Sequence, residues 1–105
     1  MMSEKKRGFF DFHFRHNNAR KHFGLITAKR NEHFKYLTLT HAEKRDKTHR
    51  NISLSHNPNP KDKRPAFLEK RERSDLQTNF RDPNKWKLSK ADEKKVVEHL
   101  KKKKL

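Results

Sequence analysis

The clearest pattern along the chain is a pair of apolar runs rich in β-branched and aromatic residues. They are FGLITAK (23–29) and FKYLTLT (34–40), and the polar segment RNEH (30–33) separates them. Such residues fit a pleated, half-buried surface, and four-residue loops commonly connect antiparallel strands. The pattern therefore predicts an antiparallel β-hairpin in the middle of the chain.

Upstream of this hairpin, aromatic and polar residues alternate. Phe10, Phe12 and Phe14 occupy every second position, and a period of two predicts a half-buried strand. The following segment, RHNNARKH (15–22), is compatible with either a short helix or a turn.

Downstream of the hairpin, short apolar segments alternate with polar ones. HAEKRDKTHR (41–50) predicts a charged loop, whereas NISLS (51–55) and AFLEK (66–70) predict two short strands, the second being the last of the sheet. Between them, HNPNPKDKRP (56–65) is rich in proline, which predicts an irregular, extended connection.

The C-terminal part has helical features. DPNKW (82–86) predicts a turn, and the segment 89–104 predicts a helix whose start is marked by Ser89 and by Asp92 three residues later. The apolar residues expected to join this helix to the sheet are Val96, Val97, Leu100, Trp86 and Leu88.

The order of these elements predicts an α+β fold. Four or five short strands followed by one helix indicate a small, curved antiparallel sheet or partly open β-barrel with a C-terminal helix. The length of 105 residues corresponds to a single small basic domain, 1–105. We expect an ordered barrel over about 9–70 and the turn and C-terminal helix over about 82–104.

The charge of the chain indicates a polyanionic partner. It has 29 Lys and Arg residues against 13 Asp and Glu, which gives a net charge of +16. Small domains need a net charge of only about 2–8 to remain in solution, and phosphate backbones are the commonest polyanions that bind basic surfaces. We therefore expect RNA as the partner, with DNA as an open alternative.

Other features narrow the class of protein. Cysteine is absent, which excludes disulfides and thiolate zinc sites and predicts a reducing, cytoplasmic location. No apolar run approaches the roughly 18 residues of a membrane span, and no secretory signal follows the basic N-terminus, so no membrane association is expected. Neither a metal nor another cofactor is predicted, because the chain lacks a zinc ligand set and a Gly-rich phosphate loop.

The segment GLITAKRNEHFKYLTLTHAEK (24–44) resembles the strand pair of PemK/MazF-like toxins, most nearly those of the ToxN/AbiQ type. In that family a Gly-hydrophobic strand leads through a polar turn to a Lys-Tyr-hydrophobic strand, which ends in a Pro-Leu-Thr/Ser-Ser-Pro-Lys-like motif. The resemblance covers roughly residues 23–70. The matching residues are Gly24, Tyr36, Leu39 and Thr40; the serine of the family falls on His41, and its lysine lies one position late, at Lys44.

This resemblance implies an SH3/PemK-like barrel that cleaves RNA without a metal ion. It also implies an antitoxin partner, either an acidic protein or an RNA. Metal-free cleavage needs a general base, a general acid and cations near the phosphate. His41 is the candidate acid or base because histidine exchanges protons near neutral pH, and Thr40 and Lys44 complete the candidate catalytic set. His49 and His56 are further candidates for its acid–base partner.

The candidate nucleic-acid contacts are basic residues of the two polar loops, with two residues of the second hairpin strand. They are Lys35, Tyr36, Arg45, His49, Arg50, Lys61, Lys63 and Arg64. Among the aromatic residues, Tyr36 and Phe34 are the ones expected to be free to stack on bases.

Three functions remain compatible with the sequence. The first is a metal-independent endoribonuclease toxin of a toxin–antitoxin or phage-defence system. The second is a non-catalytic nucleic-acid-binding accessory protein of a phage or mobile element, which the missing family serine favours. The third is a ribosome-associated protein.

Overall fold

The alternating apolar positions of the sequence form six antiparallel strands in the computed structural model, which describes residues 12–103. In chain order the elements are β1 (His13–Asn17), β2 (His22–Arg30), β3 (His33–Thr40), β4 (Ile52–Ser53), β5 (Phe67–Leu68), β6 (Arg73–Leu76), a 3-10 helix (Gln77–Asn79) and α1 (Lys90–Lys103). The α+β layout and the C-terminal helix are thus confirmed.

The central hairpin is confirmed and is longer than predicted. β2 and β3 pair from Gly24 opposite Thr38 to Arg30 opposite His33, with a register shift between Ile26 and Ala28. The connection is therefore two residues rather than four. One of these, Asn31, has a φ of 51°, a left-handed conformation that asparagine adopts more readily than most residues.

The N-terminal strand begins later than the aromatic alternation suggested. β1 starts at His13, and Phe10 lies outside the described residues. The choice between a helix and a turn after it is settled in favour of a turn. The side-chain Oδ1 of Asn17 accepts hydrogen bonds from the backbone N–H groups of Ala19 (2.9 Å) and Arg20 (3.0 Å), which stabilise that turn.

The sheet has the order β1-β2-β3-β5-β4, and β6 pairs with β3 as well. β5 pairs with the end of β3, at Leu39 and Thr40, whereas β6 pairs with its first half. The prediction that 66–70 holds the last strand is wrong, because β6 follows it. β6 was missed because its sequence, RSDL, carries a single apolar residue.

After the 3-10 helix the chain crosses to the outer edge of β1. The N–H of Asn18 donates to the carbonyl of Asn79 (2.8 Å), and the N–H groups of Arg81 and Asn84 donate to the carbonyls of His16 (2.9 Å) and Phe14 (3.0 Å). This segment therefore covers an otherwise open sheet edge. The strands themselves leave the sheet open, so the barrel stays a prediction.

The sheet is covered by apolar residues on both faces. Between the sheet and α1 lies the larger cluster, with Phe14, Leu25, Leu37, Leu68 and Val96 fully buried. Trp86, Leu88 and Leu100 pack against it, which confirms the predicted docking of the helix. Val97, which was also expected there, is only half-buried and is not part of the cluster.

A smaller cluster on the other face contains Ile26, Phe34, Tyr36 and Phe80. Only 7% of Phe34 and 2% of Tyr36 is exposed, and both rings pack edge-on against Phe80. The expectation that these two aromatic residues stack on bases is therefore wrong. A two-sided sheet needs apolar residues on both faces, and alternation alone does not reveal this.

The start of α1 is joined to the end of β4 by a buried carboxylate. Ser89 caps the helix as predicted, because its hydroxyl accepts the N–H of Asp92 (3.1 Å). The Asp92 carboxylate is completely buried and accepts both the backbone N–H and the hydroxyl of Ser55, each at 2.9 Å. We call this arrangement the Asp92 clamp. Within residues 12–103, no helix combines the length and apolarity that crossing a membrane requires.

Candidate nucleic-acid interface

Residues 41–51, which we call the basic arm, project from the end of β3 as an irregular hairpin. The N–H of Arg45 donates to the carbonyl of His49 (2.8 Å), and the N–H of Asn51 donates to that of Glu43 (2.9 Å). Residues 41–50 are all exposed. Backbone hydrogen bonds therefore hold the arm together, and residues 41–50 present their side chains to solvent, whereas Asn51 is buried and its side chain donates to the carbonyl of Ala42 (2.9 Å).

Asp46 closes the tip of this arm. Its Oδ1 accepts hydrogen bonds from the N–H groups of Thr48 (2.9 Å) and His49 (3.0 Å) and lies 2.8 Å from the His49 ring Nδ1. The hydrogen bond from His49, followed by that from the Thr48 backbone, holds the pKa of Asp46 well below its usual range. The single carboxylate at the tip thus organises the turn as an anion.

A cleft with a volume of about 420 Å³ lies between the basic arm, the β5–β6 connection and α1. We call it the basic cleft. Its lining residues are Arg45, Thr48, His49, Arg50, Asn51, Lys70, Arg71 and His99. The His99 ring Nε2 donates a hydrogen bond to the carbonyl of Lys70 (2.8 Å), which ties the helix to the β5–β6 connection. Four permanently charged cations thus meet in a groove that no carboxylate lines.

Two of these cations have acidic neighbours just outside the cleft. An Arg50 nitrogen lies 3.3 Å from a Glu43 oxygen, and Arg45 Nε lies 3.5 Å from Asp46 Oδ2. All four side chains are substantially exposed, and solvent-exposed pairs of this kind contribute little energy. A phosphate group can therefore compete for both guanidinium groups.

The structure brings some of the predicted contacts together and leaves others apart. Arg45, His49 and Arg50 all line the basic cleft. Lys35, by contrast, lies within β3 opposite Ser74, and the side chain of Tyr36 is buried in the smaller apolar cluster. Lys61, Lys63 and Arg64 belong to the proline-rich loop and are not among the residues lining the cleft.

Sequence reasoning missed five lining residues of the cleft, of which two belong to the basic arm (Thr48 and Asn51) and three lie outside it (Lys70, Arg71 and His99). The basic character of KRER (70–73) was visible in the sequence. Its position beside the arm depends on β5 and β6 both pairing with β3, which no local signal shows.

The candidate catalytic residue His41 has a carboxylate partner. Its Nε2 lies 2.8 Å from Oδ2 of Asp62, and about half of the His41 side chain is exposed. Arg64 donates three hydrogen bonds of 3.0 Å to the same carboxylate, two from its guanidinium group and one from its backbone N–H. These bonds from Arg64, followed by that from His41, hold the pKa of Asp62 well below its usual range.

The other candidate catalytic residues have structural contacts of their own. The Thr40 hydroxyl accepts the N–H of Ala42 (3.1 Å), and Lys44 forms a backbone bridge with Arg50 across the arm. Of the two candidate partners of His41, His49 is bonded to Asp46, and His56 hydrogen-bonds the hydroxyl of Ser55 (3.1 Å). The carboxylate that does meet His41 is 21 positions away and was not singled out.

In the part of the chain that the structure describes, no cluster of three or more His, Cys, Asp or Glu residues could hold a metal ion. Comparison of the chain with protein-family models, with curated proteins and with solved structures gives no match.

Proposed function

We propose that this protein binds RNA and that the basic cleft is its contact surface. The observation that carries this proposal is the convergence of four permanent cations and two histidines in one groove lined by no carboxylate. The net charge of +16 adds a long-range attraction for any polyanion. Lys and Arg side chains on phosphates account for most nonspecific nucleic-acid affinity.

Salt dependence of RNA binding tests this proposal. Binding of a fluorescently labelled single-stranded RNA is measured by anisotropy over a series of salt concentrations. Each neutralised phosphate of a single strand contributes a slope of about −0.7 to a plot of log affinity against log salt. Replacing one cation from each of two cleft walls, Arg50→Gln with Arg71→Gln, should therefore make the slope shallower by about 1.4.

A matched control removes two cations far from the cleft. Lys29→Gln with Arg30→Gln changes the charge by the same amount at the opposite end of the β2–β3 hairpin. This variant should bind RNA nearly as the wild type does. An equal loss in both variants would refute the basic cleft as the contact surface, and preference for a DNA strand of the same sequence would assign the cleft to DNA.

Metal-independent RNA cleavage is a second candidate function, and the pair formed by His41 and Asp62 favours it. A carboxylate bonded to one ring nitrogen orients the imidazole, as general acid–base catalysis requires. The test is incubation of end-labelled RNA with the protein in EDTA, beside His41→Ala and Asp62→Asn. Cleavage should produce 2′,3′-cyclic phosphate ends and be lost in both variants.

His56→Ala provides the control, since His56 is also exposed but contacts a serine hydroxyl instead of a carboxylate. Binding without cleavage by any of these proteins would remove the endoribonuclease hypothesis. It would leave a nucleic-acid-binding accessory protein or a ribosome-associated protein.

The PemK-like barrel and an antitoxin partner belong to the same hypothesis. The barrel is supported by the path of the chain, because β6 pairs with β3 and the segment after it hydrogen-bonds along β1. One chain segment thus reaches both sides of the β1-β2-β3 meander. An acidic antitoxin would be expected to compete with RNA for the basic cleft.

A further inference from the structure

A second, smaller cavity lies apart from the residues of the basic cleft. Its volume is about 100 Å³, and we call it the tyrosine pocket. The lining residues come from the β1–β2 turn, from β2 and β3, and from the chain around β5 and β6. They are Arg20, His22, Tyr36, Thr38, Glu69 and Arg73.

The charges around this pocket favour an anion. Arg20 and Arg73 are cationic, and the one carboxylate in the lining, Glu69, lies 3.4 Å from the Arg73 guanidinium. The neighbouring Glu72 accepts the hydroxyl hydrogen of Thr27 instead. No carboxylate of the lining pairs with the Arg20 guanidinium. Asp75, outside the lining, interacts with it electrostatically, but its oxygens already accept hydrogen bonds from the side chains of Asn17 (3.0 Å) and Asn79 (2.8 Å).

Tyr36 gives the pocket a rigid wall. It is 2% exposed, and its ring packs edge-on against Phe80. Burial raises the pKa of Tyr36, while the nearby charge of Arg20 acts in the opposite direction. The phenol is therefore a neutral hydroxyl held beside a cation at neutral pH.

We propose that the tyrosine pocket binds a single phosphoryl group. A cavity of about 100 Å³ is smaller than the roughly 300–1,000 Å³ of pockets that enclose whole small-molecule ligands, which favours a single small anion. Guanidinium groups match the oxygens of a phosphate, often with two parallel hydrogen bonds. The hydroxyls of Tyr36 and Thr38 supply neutral hydrogen-bonding groups on another wall.

The pocket and the basic cleft share one chain segment. Glu69 and Arg73 line the pocket, whereas Lys70 and Arg71, between them in sequence, line the cleft. A strand lying in the cleft could therefore place a neighbouring phosphate in the pocket. This link rests on the proposed function, whereas the affinity of the pocket for phosphate does not.

The test uses Tyr36 as a reporter, because it is the only tyrosine of the chain. In protein labelled with ¹³C-tyrosine, inorganic phosphate is added at constant ionic strength, and the ring resonances of Tyr36 are followed by NMR. The wild type should show a saturable shift. Arg20→Gln should weaken binding by about tenfold or more, as expected for loss of a charged hydrogen-bond donor.

Lys21→Gln is the matched control, since Lys21 is adjacent, exposed and absent from the pocket lining. It should bind phosphate as the wild type does. The proposal is overturned if phosphate produces no saturable shift of the Tyr36 resonances, or if Lys21→Gln weakens binding as much as Arg20→Gln does.

Two short RNAs of one sequence, with and without a 5′-phosphate, identify the source of the phosphoryl group. A Tyr36 shift caused only by the phosphorylated RNA assigns the pocket to a strand end, and a shift caused by both assigns it to an internal phosphodiester. Response to inorganic phosphate alone supports a free-anion site and refutes the link to the cleft. The Arg50→Gln, Arg71→Gln variant leaves the pocket intact, so failure of RNA binding and failure of the pocket are separable.

Discussion

Removal of the Asp92 carboxylate should lower the free energy of unfolding more than most other single substitutions in α1. Asp92 is 0% exposed, and Asp92→Ala removes the acceptor of the Ser55 backbone N–H. The Ser55 hydroxyl loses its carboxylate acceptor but keeps its contacts with His56 and Ser89. A hydrogen bond to a charged group contributes about 1.5–3 kcal/mol. Because Ser55 itself is exposed, water can partly replace the lost acceptor, so the lower end of this range applies to each donor. The expected loss is about 3 kcal/mol, a large part of the 5–15 kcal/mol typical of a domain.

Urea denaturation followed by the fluorescence of Trp86, the only tryptophan, measures this loss. With a slope of about 1.5 kcal/mol per M, the midpoint should fall by about 2 M while the slope stays unchanged. Glu93→Ala is the matched control, because it also removes an acidic residue from the first turn of α1 but is exposed. Its effect should be limited to the helix-dipole contribution, about 0.3–1 kcal/mol.

A double-mutant cycle with Ser55→Ala isolates the hydroxyl part of the Asp92 clamp. Residues in direct contact show coupling of about 0.5–3 kcal/mol, whereas independent residues show none beyond error. The clamp would be refuted as a source of stability if Asp92→Ala cost no more than Glu93→Ala, or if the Asp92 and Ser55 changes were additive.

Three further predictions concern the smaller apolar cluster and the groups around it. In Gly24→Ala the new Cβ would lie 2.7 Å from Cδ2 of Tyr36. The free energy of unfolding, measured in urea, should therefore fall by about 1–3 kcal/mol. An unchanged free energy would mean that the ring moves aside without cost. Burial raises the pKa of Tyr36 above 10.0. The stabilisation that comes from this shift is therefore complete below pH 10.0, and it is lost as the pH rises through the pKa of Tyr36 in the folded protein. An ultraviolet titration of the native protein should place the midpoint above that of the urea-unfolded chain, and coincident midpoints would contradict this. The hydrogen bond from Asn17, followed by that from the Leu76 backbone, lowers the pKa of Asp75 below 3.8, so its contribution is present above pH 3.8 and is lost as the pH falls through the folded value. In Asp75→Asn the free energy of unfolding, measured by urea titrations at several pH values, should depend less on pH over this acidic range. An unchanged pH dependence would contradict the lowered pKa of Asp75.

The elements that depend on neighbouring residues were predictable from the sequence. The β2–β3 hairpin follows from two apolar runs around a short polar turn, and the start of α1 follows from Ser89 three residues before Asp92. In both cases the interacting groups are a few positions apart, so their geometry is restricted by the backbone itself. The excess of basic residues is likewise a property of composition alone.

Tertiary structure decided which distant groups meet. It buried Phe34 and Tyr36 by covering both faces of the sheet, and it directed the Asp92 carboxylate to Ser55, 37 positions away. It also brought His41 to Asp62 and joined the basic arm to Lys70, Arg71 and His99 in one cleft. Such contacts depend on the path of the whole chain, and especially on the pairing of β5 and β6 with different halves of β3. Sequence alone therefore determined the charge and the local elements, whereas the fold determined the arrangement of the charged groups into a cleft and a pocket.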